Sequence, residues 1–265
     1  MECRVLTEEP VSIEEQNSEG AVPPWFRLRA VFVHLYTASG AVLALLILFA
    51  AFRGEATEAL WLMLITLLID STDGLLARRL RVSEALPFFD GAMLDNIVDY
   101  MTYVLAPMVL LWSGGYLPDG DWGVVVAALP LLASSYQFCR VDAKTDDHFF
   151  LGFPSYFNVV AFYVIVFGLS PGTAAVVLVV CSILVFVPIR YVYPTRTAAF
   201  RSLSLTLTTL WLACNAAILF QMQEPGPPDS PLLGFSLAYL VYYFGLSFYL
   251  SAKMLEARRM EEREA

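Results

Sequence analysis

The sequence has few charged residues and no excess of positive charge. Only 15% of its 265 residues are Asp, Glu, Lys or Arg, 58% are apolar, and the formal net charge is −9. A protein that binds nucleic acid through its phosphates needs clustered Lys and Arg, so this balance argues against nucleic acid as a partner. The composition is typical of an integral membrane protein and leaves no room for a separate soluble domain.

Cysteine and histidine are also scarce. The four cysteines are scattered, none stands in a C-x-x-C spacing, and three lie in apolar segments. We therefore interpret them as small buried side chains rather than redox groups or zinc ligands. Of the two histidines, we expect His148 to be an interfacial polar residue and His34 to lie away from the motif described below.

What the sequence has instead is a series of long apolar runs. Eight of them predict an all-α integral membrane protein with eight transmembrane helices. We expect residues 25–252 to form one transmembrane domain, residues 1–24 a disordered tail, and residues 253–265 a charged tail. The predicted spans are residues 30–52, 58–80, 88–113, 122–140, 153–169, 172–190, 203–222 and 230–252.

The basic residues indicate how these spans are oriented. With eight spans, fifteen of the sixteen Lys and Arg residues fall on the side of the membrane that carries both termini, and only Arg53 falls on the other. Loops rich in Lys and Arg stay in the cytoplasm. The sequence therefore predicts that both termini, and both tails, are cytoplasmic.

Four aspartates interrupt the second and third apolar runs, where an ionised side chain costs roughly 2.5–3.5 kcal/mol at the helix centre. Asp70 and Asp73 lie on the second run, and Asp95 and Asp99 on the third. Spacings of three and four residues put each pair on one helical face. Because the two runs are antiparallel neighbours, Asp70 matches Asp99 in depth and Asp73 matches Asp95. We expect the acids to face one another in the cytoplasmic half of the membrane.

Carboxylates gathered at one depth repel one another, so they must either take up protons or bind cations. A site made only of acidic oxygens favours hard ions such as Mg²⁺ or Mn²⁺. Four carboxylates are enough for a pair of such ions. A proton relay is the alternative for any single aspartate in a membrane.

Small and basic residues share the same two helical faces. Gly74 and Gly91 leave backbone that a base or a pyrophosphate can approach, although either glycine is equally compatible with close helix packing alone. Ala77 adds only a methyl group to this face, and Arg78 offers a guanidinium that can bind phosphate oxygens.

Written out, residues 70–99 contain the pattern D-x2-D-G-x2-A-R-x12-G-x3-D-x3-D. This pattern resembles the signature of the CDP-alcohol phosphotransferases, membrane enzymes that move a phosphoryl-linked group from a CDP-activated donor to an alcohol. The resemblance implies two divalent cations, Mn²⁺ or Mg²⁺, and a catalytic base at Asp99. The metal ligands that it implies are Asp70, Asp73, Asp95 and Asp99. The positions that it implies for CDP and phosphate binding are Asp73, Gly74, Ala77, Arg78 and Gly91.

The twelve residues between Arg78 and Gly91 depart from most of the family, which has eight or nine. This longer gap, the eight spans and the stretches 136–163 and 186–196 are similar to the bacterial branch that makes phosphatidylcholine from CDP-diacylglycerol and choline. The resemblance covers roughly residues 25–250. It implies a multi-pass enzyme of the bacterial inner membrane that releases CMP and whose active site faces the cytoplasm. Whether the chain forms a homodimer is left open.

A choline acceptor carries a quaternary ammonium, which cannot donate a conventional hydrogen bond. Aromatic faces and carboxylates are the groups that hold such a cation. Aromatic residues are also enriched at membrane interfaces, so each choice competes with a simple anchoring role. The residues we expect to contact choline are Tyr103, Tyr136, Asp147, Tyr156 and Asn158.

Two other functions compete with this reading. One is a related CDP-diacylglycerol-dependent synthase that uses serine or glycerol phosphate, for which Arg190 and Arg196 could hold an anionic acceptor. The other is a divalent-cation or proton-coupled transporter. A transporter explains aspartates within the membrane, but it does not explain Gly74, Ala77 and Arg78 on the same face.

Overall fold

The computed structural model of the protein describes residues 23–145, 147–222 and 230–264, so the tail predicted over residues 1–24 lies almost wholly outside the described residues. Helices form most of this part of the chain. They are α1 (Pro24–Phe52), α2 (Ala56–Arg79), α3 (Val82–Ala85), α4 (Gly91–Asp99), a π-helix (Tyr100–Leu105), α5 (Ala106–Ser113), α6 (Asp121–Cys139), α7 (Phe157–Val166), α8 (Pro171–Phe186), α9 (Arg201–Gln221) and α10 (Ser230–Glu264).

Six helical segments in the described residues are long and apolar enough to cross a membrane, which makes the chain a multi-pass membrane protein. They are α1, α2, the continuous segment Gly91–Ser113, α6, α9 and the Pro231–Glu256 part of α10. The fifth and sixth predicted spans correspond to α7 and α8. These helices are about 15 and 24 Å long, shorter than the roughly 30 Å hydrocarbon core of a bilayer. The count of eight spans therefore stays a prediction.

Helix α1 packs closely against both helices that carry the aspartates. At Gly40 an added Cβ would lie only 2.5 Å from the Cγ1 atom of Val98 on α4, so glycine permits this approach. Toward α2, Thr37 donates a hydrogen bond of 2.8 Å to a carboxylate oxygen of Asp73. Helix α1 thus fixes the positions of α2 and α4 relative to each other.

The twelve-residue gap between Arg78 and Gly91 contains the short helix α3. Its buried residues and Leu86 form a small apolar cluster with Ala30 and Val33 of α1. Asp90 then caps α4, because its carboxylate accepts a hydrogen bond of 2.9 Å from the backbone N–H of Met93. The extra residues of the gap therefore pack against α1 and leave the start of α4 well defined.

A short antiparallel sheet joins two distant parts of the sequence and corrects the all-α prediction. Strand β1 (Phe149–Leu151) pairs with β2 (Arg190–Val192), with Phe150 opposite Tyr191. Gly152 follows β1 at φ +83°, where an added Cβ would lie 2.2 Å from the backbone oxygen of Val185. Only glycine fits both this conformation and this contact.

Strand β2 is attached to α10 by two hydroxyl groups. The backbone N–H of Val192 donates to Ser247 at 3.0 Å, and that of Arg190 donates to Ser251 at 3.3 Å. Because β2 also pairs with β1, these bonds connect α10 to the loop after α6. Helix α10 continues to Glu264, through the stretch 253–264 that we had treated as a separate tail.

Candidate active site

Three carboxylates converge between α2 and α4. Oxygens of Asp70, Asp95 and Asp99 lie within 4.8 Å of one another. The spacing of Asp95 and Asp99 places both on one face of α4, and this face is turned toward Asp70 on α2. Three of the four aspartates expected to face one another therefore form one acidic cluster.

The acidic cluster fits a hard divalent cation. Its donors are all carboxylate oxygens, which Mg²⁺ and Mn²⁺ prefer. Two oxygens on opposite sides of a Mg²⁺ ion are about 4.2 Å apart, twice the metal–oxygen distance. Oxygens within 4.8 Å of one another need only small side-chain rotations to reach such an arrangement. The cluster could therefore hold a metal ion.

Tyr103 holds one member of the acidic cluster in place. Its phenol donates a hydrogen bond of 2.6 Å to Asp70, and the whole side chain is buried. Tyr103 lies in the π-helix that begins directly after Asp99. A π-turn inserts one residue into a helix and is frequent at functional sites. This turn lies where the phenol reaches from the π-helix to Asp70 on α2, so Tyr103 contacts a candidate metal ligand.

Asp73 is outside this set of three. One of its carboxylate oxygens accepts the hydrogen bond from Thr37, and the other accepts a bond of 2.5 Å from the backbone N–H of Gly74. Both oxygens are therefore occupied by hydrogen bonds in the absence of any ligand. That Asp73 binds metal and phosphate stays a prediction. The spacing of the motif could not predict the contact of Asp73 with Thr37 of α1.

Lys144 is a residue of the site that our sequence reasoning missed. Its ammonium lies 3.6 Å from a carboxylate oxygen of Asp95. Lys144 follows α6 and is held by a β-bridge to Phe150. Partial burial by itself would lower the pKa of Lys144, but the carboxylates of Asp95 and Asp99 raise it above its ordinary value. A cation in a loop gives no periodic signal, so only the spatial contact identifies it.

The small and basic residues of the motif have different neighbours. The guanidinium of Arg78 bends back over Gly74, where an added Cβ would lie 3.2 Å from its Nη1 atom. Ala77 instead packs against the small apolar cluster of α1 and α3. An added Cβ at Gly91 would lie 2.8 Å from the Cε1 atom of His34. The expectation that His34 lies away from the motif is therefore wrong, because α1 brings it there.

The five residues expected to contact choline lie in different places. Tyr156 has its ring 6.0 Å from that of Tyr103, so these two lie together beside Asp70. Tyr136 packs against Phe186 of α8, with ring centroids 5.1 Å apart. It is not among the residues that line the cavity described below.

Asp147 and Asn158 also lie apart from the acidic cluster. Asp147 forms an ion pair with Arg190. Partial burial would raise the pKa of Asp147, but the hydroxyl of Thr145 and the Arg190 guanidinium lower it below its ordinary value. Asn158 is buried and lines a second, smaller cavity of about 310 Å³.

The two arginines considered for an anionic acceptor have different partners. The guanidinium of Arg190 is engaged by Asp147, and it also contacts Met254 on α10. The guanidinium of Arg196 lies over the ring of Tyr193, 5.6 Å from its centroid. Neither arginine lines the cavity beside Asp70.

That cavity encloses about 810 Å³, including its open mouth. Asp70, Gly74 and Arg78 of α2 form one wall, and residues that follow β1 and β2 or lie on α9 and α10 form the rest. Five aromatic side chains line it, namely Tyr156, Tyr193, Trp211, Tyr239 and Tyr243. Four of these were not expected from the sequence, where aromatic residues are too common to single out.

These observations define a class of protein: a multi-pass helical membrane protein with a carboxylate cluster that could hold a metal, next to an aromatic cavity. Residues 34–188, more than half of the chain, match the family model for CDP-alcohol phosphatidyltransferase. The chain therefore belongs to the CDP-alcohol phosphatidyltransferase family, and it is a transferase.

Curated relatives agree with this assignment. A protein of Legionella pneumophila is 42% identical over 225 residues, 83% of this chain and 88% of its own length. A protein of Mesorhizobium japonicum is 40% identical over 74% of this chain and 73% of its length. A third, from Pseudomonas aeruginosa, is 34% identical over 88% of this chain and 96% of its length. Each of these three is named phosphatidylcholine synthase.

Proposed function

We propose that the chain is a phosphatidylcholine synthase, which transfers the phosphatidyl group of CDP-diacylglycerol to choline and releases CMP. The observation that carries the proposal is the acidic cluster of Asp70, Asp95 and Asp99 beside a cavity whose lining includes five aromatic side chains. The relatives named for this activity support it. So does the ion pair between Arg190 and Asp147, since a guanidinium held by a carboxylate is less available to an anionic acceptor.

Asp70, Asp95 and Asp99 would hold divalent cations, Mn²⁺ or Mg²⁺, and we propose two ions with Asp73 as a further ligand. When bound, such ions neutralise the diphosphate of the donor and the negative charge on the departing CMP. The guanidinium of Arg78, at the rim of the cavity, binds phosphate oxygens of the donor. Gly74, Ala77 and Gly91 have no bulky side chain, so the nucleotide can approach α2 and α4 at these positions.

In the transfer itself, the hydroxyl oxygen of choline forms a bond to the phosphorus that carries diacylglycerol. The bond from this phosphorus to the CMP oxygen breaks, and CMP leaves. Asp99 accepts the proton of the choline hydroxyl, which makes the oxygen a better nucleophile. Tyr103 keeps Asp70 oriented through its hydrogen bond.

We further propose that the enzyme lies in the bacterial inner membrane with eight spans, both termini in the cytoplasm and its active site open to the cytoplasm. The excess of Lys and Arg on one side supports this orientation. A reporter fused after Ala265 should therefore be cytoplasmic, and a reporter in the loop around Arg53 should lie on the opposite side.

A single assay with purified protein tests the activity. CMP release from CDP-diacylglycerol is measured with choline, serine or glycerol phosphate, each with metal removed by a chelator and then with Mn²⁺ or Mg²⁺ restored. We expect CMP only when choline and a divalent metal are both present. Release with serine or glycerol phosphate would assign a different acceptor. Divalent-cation flux into liposomes without CDP-diacylglycerol, and no CMP release, would indicate a transporter.

A further inference from the structure

The aromatic cavity beside the acidic cluster has an unusual distribution of charge. Among its lining residues, Asp70 is the only carboxylate and Arg78 the only cation, and both belong to α2. All five aromatic side chains of the lining lie outside α2, together with aliphatic and hydroxyl side chains. A ligand in this cavity would therefore contact the charged side chains of Asp70 and Arg78 on α2 and aromatic rings on other elements.

The aromatic rings of the cavity are held by contacts with one another and with neighbouring residues. Trp211 donates from its indole N–H to Tyr163 at 3.0 Å, and its ring stacks on Tyr239 at 5.1 Å. The hydroxyl of Tyr239 is hydrogen-bonded to Thr208 at 2.7 Å. These contacts fix two rings before any ligand binds, which reduces the entropy lost on binding.

Two further tyrosines are positioned by stacking. Tyr193 stacks on Phe150 of β1 with ring centroids 4.5 Å apart, and Tyr243 lies parallel to Tyr191 of β2 at 6.5 Å. The hydroxyl of Tyr243 is buried and makes no hydrogen bond to any described residue. The short sheet therefore determines where two of the cavity's tyrosines stand.

This arrangement suits one kind of charged group. A quaternary ammonium has no N–H to satisfy, and it binds to aromatic faces by cation–π attraction. A primary ammonium needs hydrogen-bond acceptors for its three N–H groups, whereas a quaternary ammonium needs none, and the lining offers one carboxylate, that of Asp70. A carboxylate or phosphate group would need a cation, and the only cation among the lining residues is Arg78, which the proposed function assigns to the phosphates of the donor.

The position of the cavity matches the reaction as well. Asp70 belongs both to the acidic cluster and to the cavity wall. The ring of Tyr156 lies 6.0 Å from Tyr103 and 6.4 Å from Tyr243, so aromatic side chains extend from the cluster into the cavity. A short amino alcohol can thus place its hydroxyl at the acids while its cationic end lies among the rings.

We propose that this cavity is the acceptor site, in which the trimethylammonium group of choline is held by Tyr156, Tyr193 and Tyr243. These three residues determine specificity and take no part in proton transfer. The proposal rests on the proposed function, because it assumes that the acceptor is choline.

The test uses full-length protein with Tyr193→Leu and Tyr243→Leu, which keep an apolar side chain but remove the π-face, and with the matching Phe variants, which restore it. Loss of one ring should raise the KM for choline about 2- to 30-fold. The KM for CDP-diacylglycerol should stay unchanged, and the Phe variants should return the KM for choline toward that of the wild type. Tyr249→Leu is the matched control, because Tyr249 is exposed on the same helix as Tyr243.

A neutral analogue separates charge recognition from simple packing. In 3,3-dimethylbutan-1-ol a carbon atom replaces the nitrogen of choline, so its shape is kept and its charge is lost. The wild type should prefer choline to this alcohol, and the Leu variants should lose most of that preference. Binding of CDP-diacylglycerol, measured on every variant, reports whether the protein is folded.

The outcomes distinguish this inference from the function on which it rests. CMP release with choline in the wild type, but an unchanged KM and preference in folded Leu variants, would overturn the acceptor site alone. An equal rise in the KM for choline and in the KM for CDP-diacylglycerol would also overturn it, since a general distortion would then explain the effect. No use of choline by the wild type would overturn the proposed function itself.

Discussion

The phenol of Tyr103 donates a hydrogen bond of 2.6 Å to the carboxylate of Asp70, across the space between the π-helix and α2. This bond links the helix that carries Asp95 and Asp99 to the helix that carries Asp70. The acidic cluster is therefore positioned by a side chain that is not itself acidic.

Tyr103→Phe removes this bond and keeps the ring. A hydrogen bond to a charged group contributes roughly 1.5–3 kcal/mol, so we expect the metal concentration for half-maximal activity to rise about tenfold or more. The measurement is CMP release as a function of Mn²⁺ or Mg²⁺ concentration. Tyr100→Phe is the control, because Tyr100 lies in the same π-helix and its hydroxyl donates to the backbone oxygen of Leu131. If CMP release depends on metal concentration in the same way in the wild type and in Tyr103→Phe, the hydrogen bond does not support the metal site.

Asp99→Asn should abolish turnover and leave binding of CDP-diacylglycerol measurable. The amide keeps the size of the side chain but cannot accept the proton of the choline hydroxyl. Single-turnover release of CMP and equilibrium binding of the donor, measured on the same preparation, separate the two effects. Turnover at the wild-type rate would remove Asp99 from the mechanism.

Lys144→Met removes the cation that lies 3.6 Å from Asp95. A lysine this close competes with a metal ion for the carboxylate. The side chain of Lys144 is 48% exposed and that of Asp95 is 25% exposed, and partly exposed ion pairs contribute about 0.2–1 kcal/mol. We expect the variant to reach half-maximal activity at a metal concentration a few-fold lower than the wild type. Lys253→Met, an exposed lysine on α10, is the control. A higher metal requirement in Lys144→Met would instead assign Lys144 a supporting role at the site.

Gly91→Ala should reduce activity because its Cβ would lie 2.8 Å from the Cε1 atom of His34. His34 packs against Phe89, with ring centroids 4.3 Å apart, so its imidazole has limited room to move. The double variant Gly91→Ala with His34→Ala should recover much of the lost activity, since it removes the clash. Gly172→Ala is the control, because an added Cβ there meets nothing within 4 Å. No recovery in the double variant would show that Gly91 is needed for the donor rather than for packing against His34.

Much of the site could be predicted because the positions of its residues follow from helical periodicity within short segments. Helical periodicity put Asp95 and Asp99 on one face, and the antiparallel turn matched them to Asp70 in depth. The same positions carried the resemblance to the family that the comparison later confirmed. The six long helices also followed directly from apolar length.

Other parts of the site depend on contacts between distant segments. Asp73 is outside the cluster of three acids and accepts a hydrogen bond from Thr37 of α1, and its predicted role as a metal ligand stays a prediction. His34 and Lys144 reach the motif from a first helix and from a loop, and neither position has a pattern that marks it. The all-α prediction missed the sheet because its strands have only three residues each, too few for a periodic signal.

By itself, the amino-acid sequence determined that this chain crosses a membrane, that two of its helices present acidic faces, and that these faces match the family signature. These properties depend on composition and on the 3.6-residue repeat, which act over a few turns of one helix. Only the tertiary structure decided which partners hold each acid and which rings line the cavity. The residues that line the cavity range from Leu67 to Tyr243 along the chain. Packing between helices, strands and loops, rather than local spacing, brings them together.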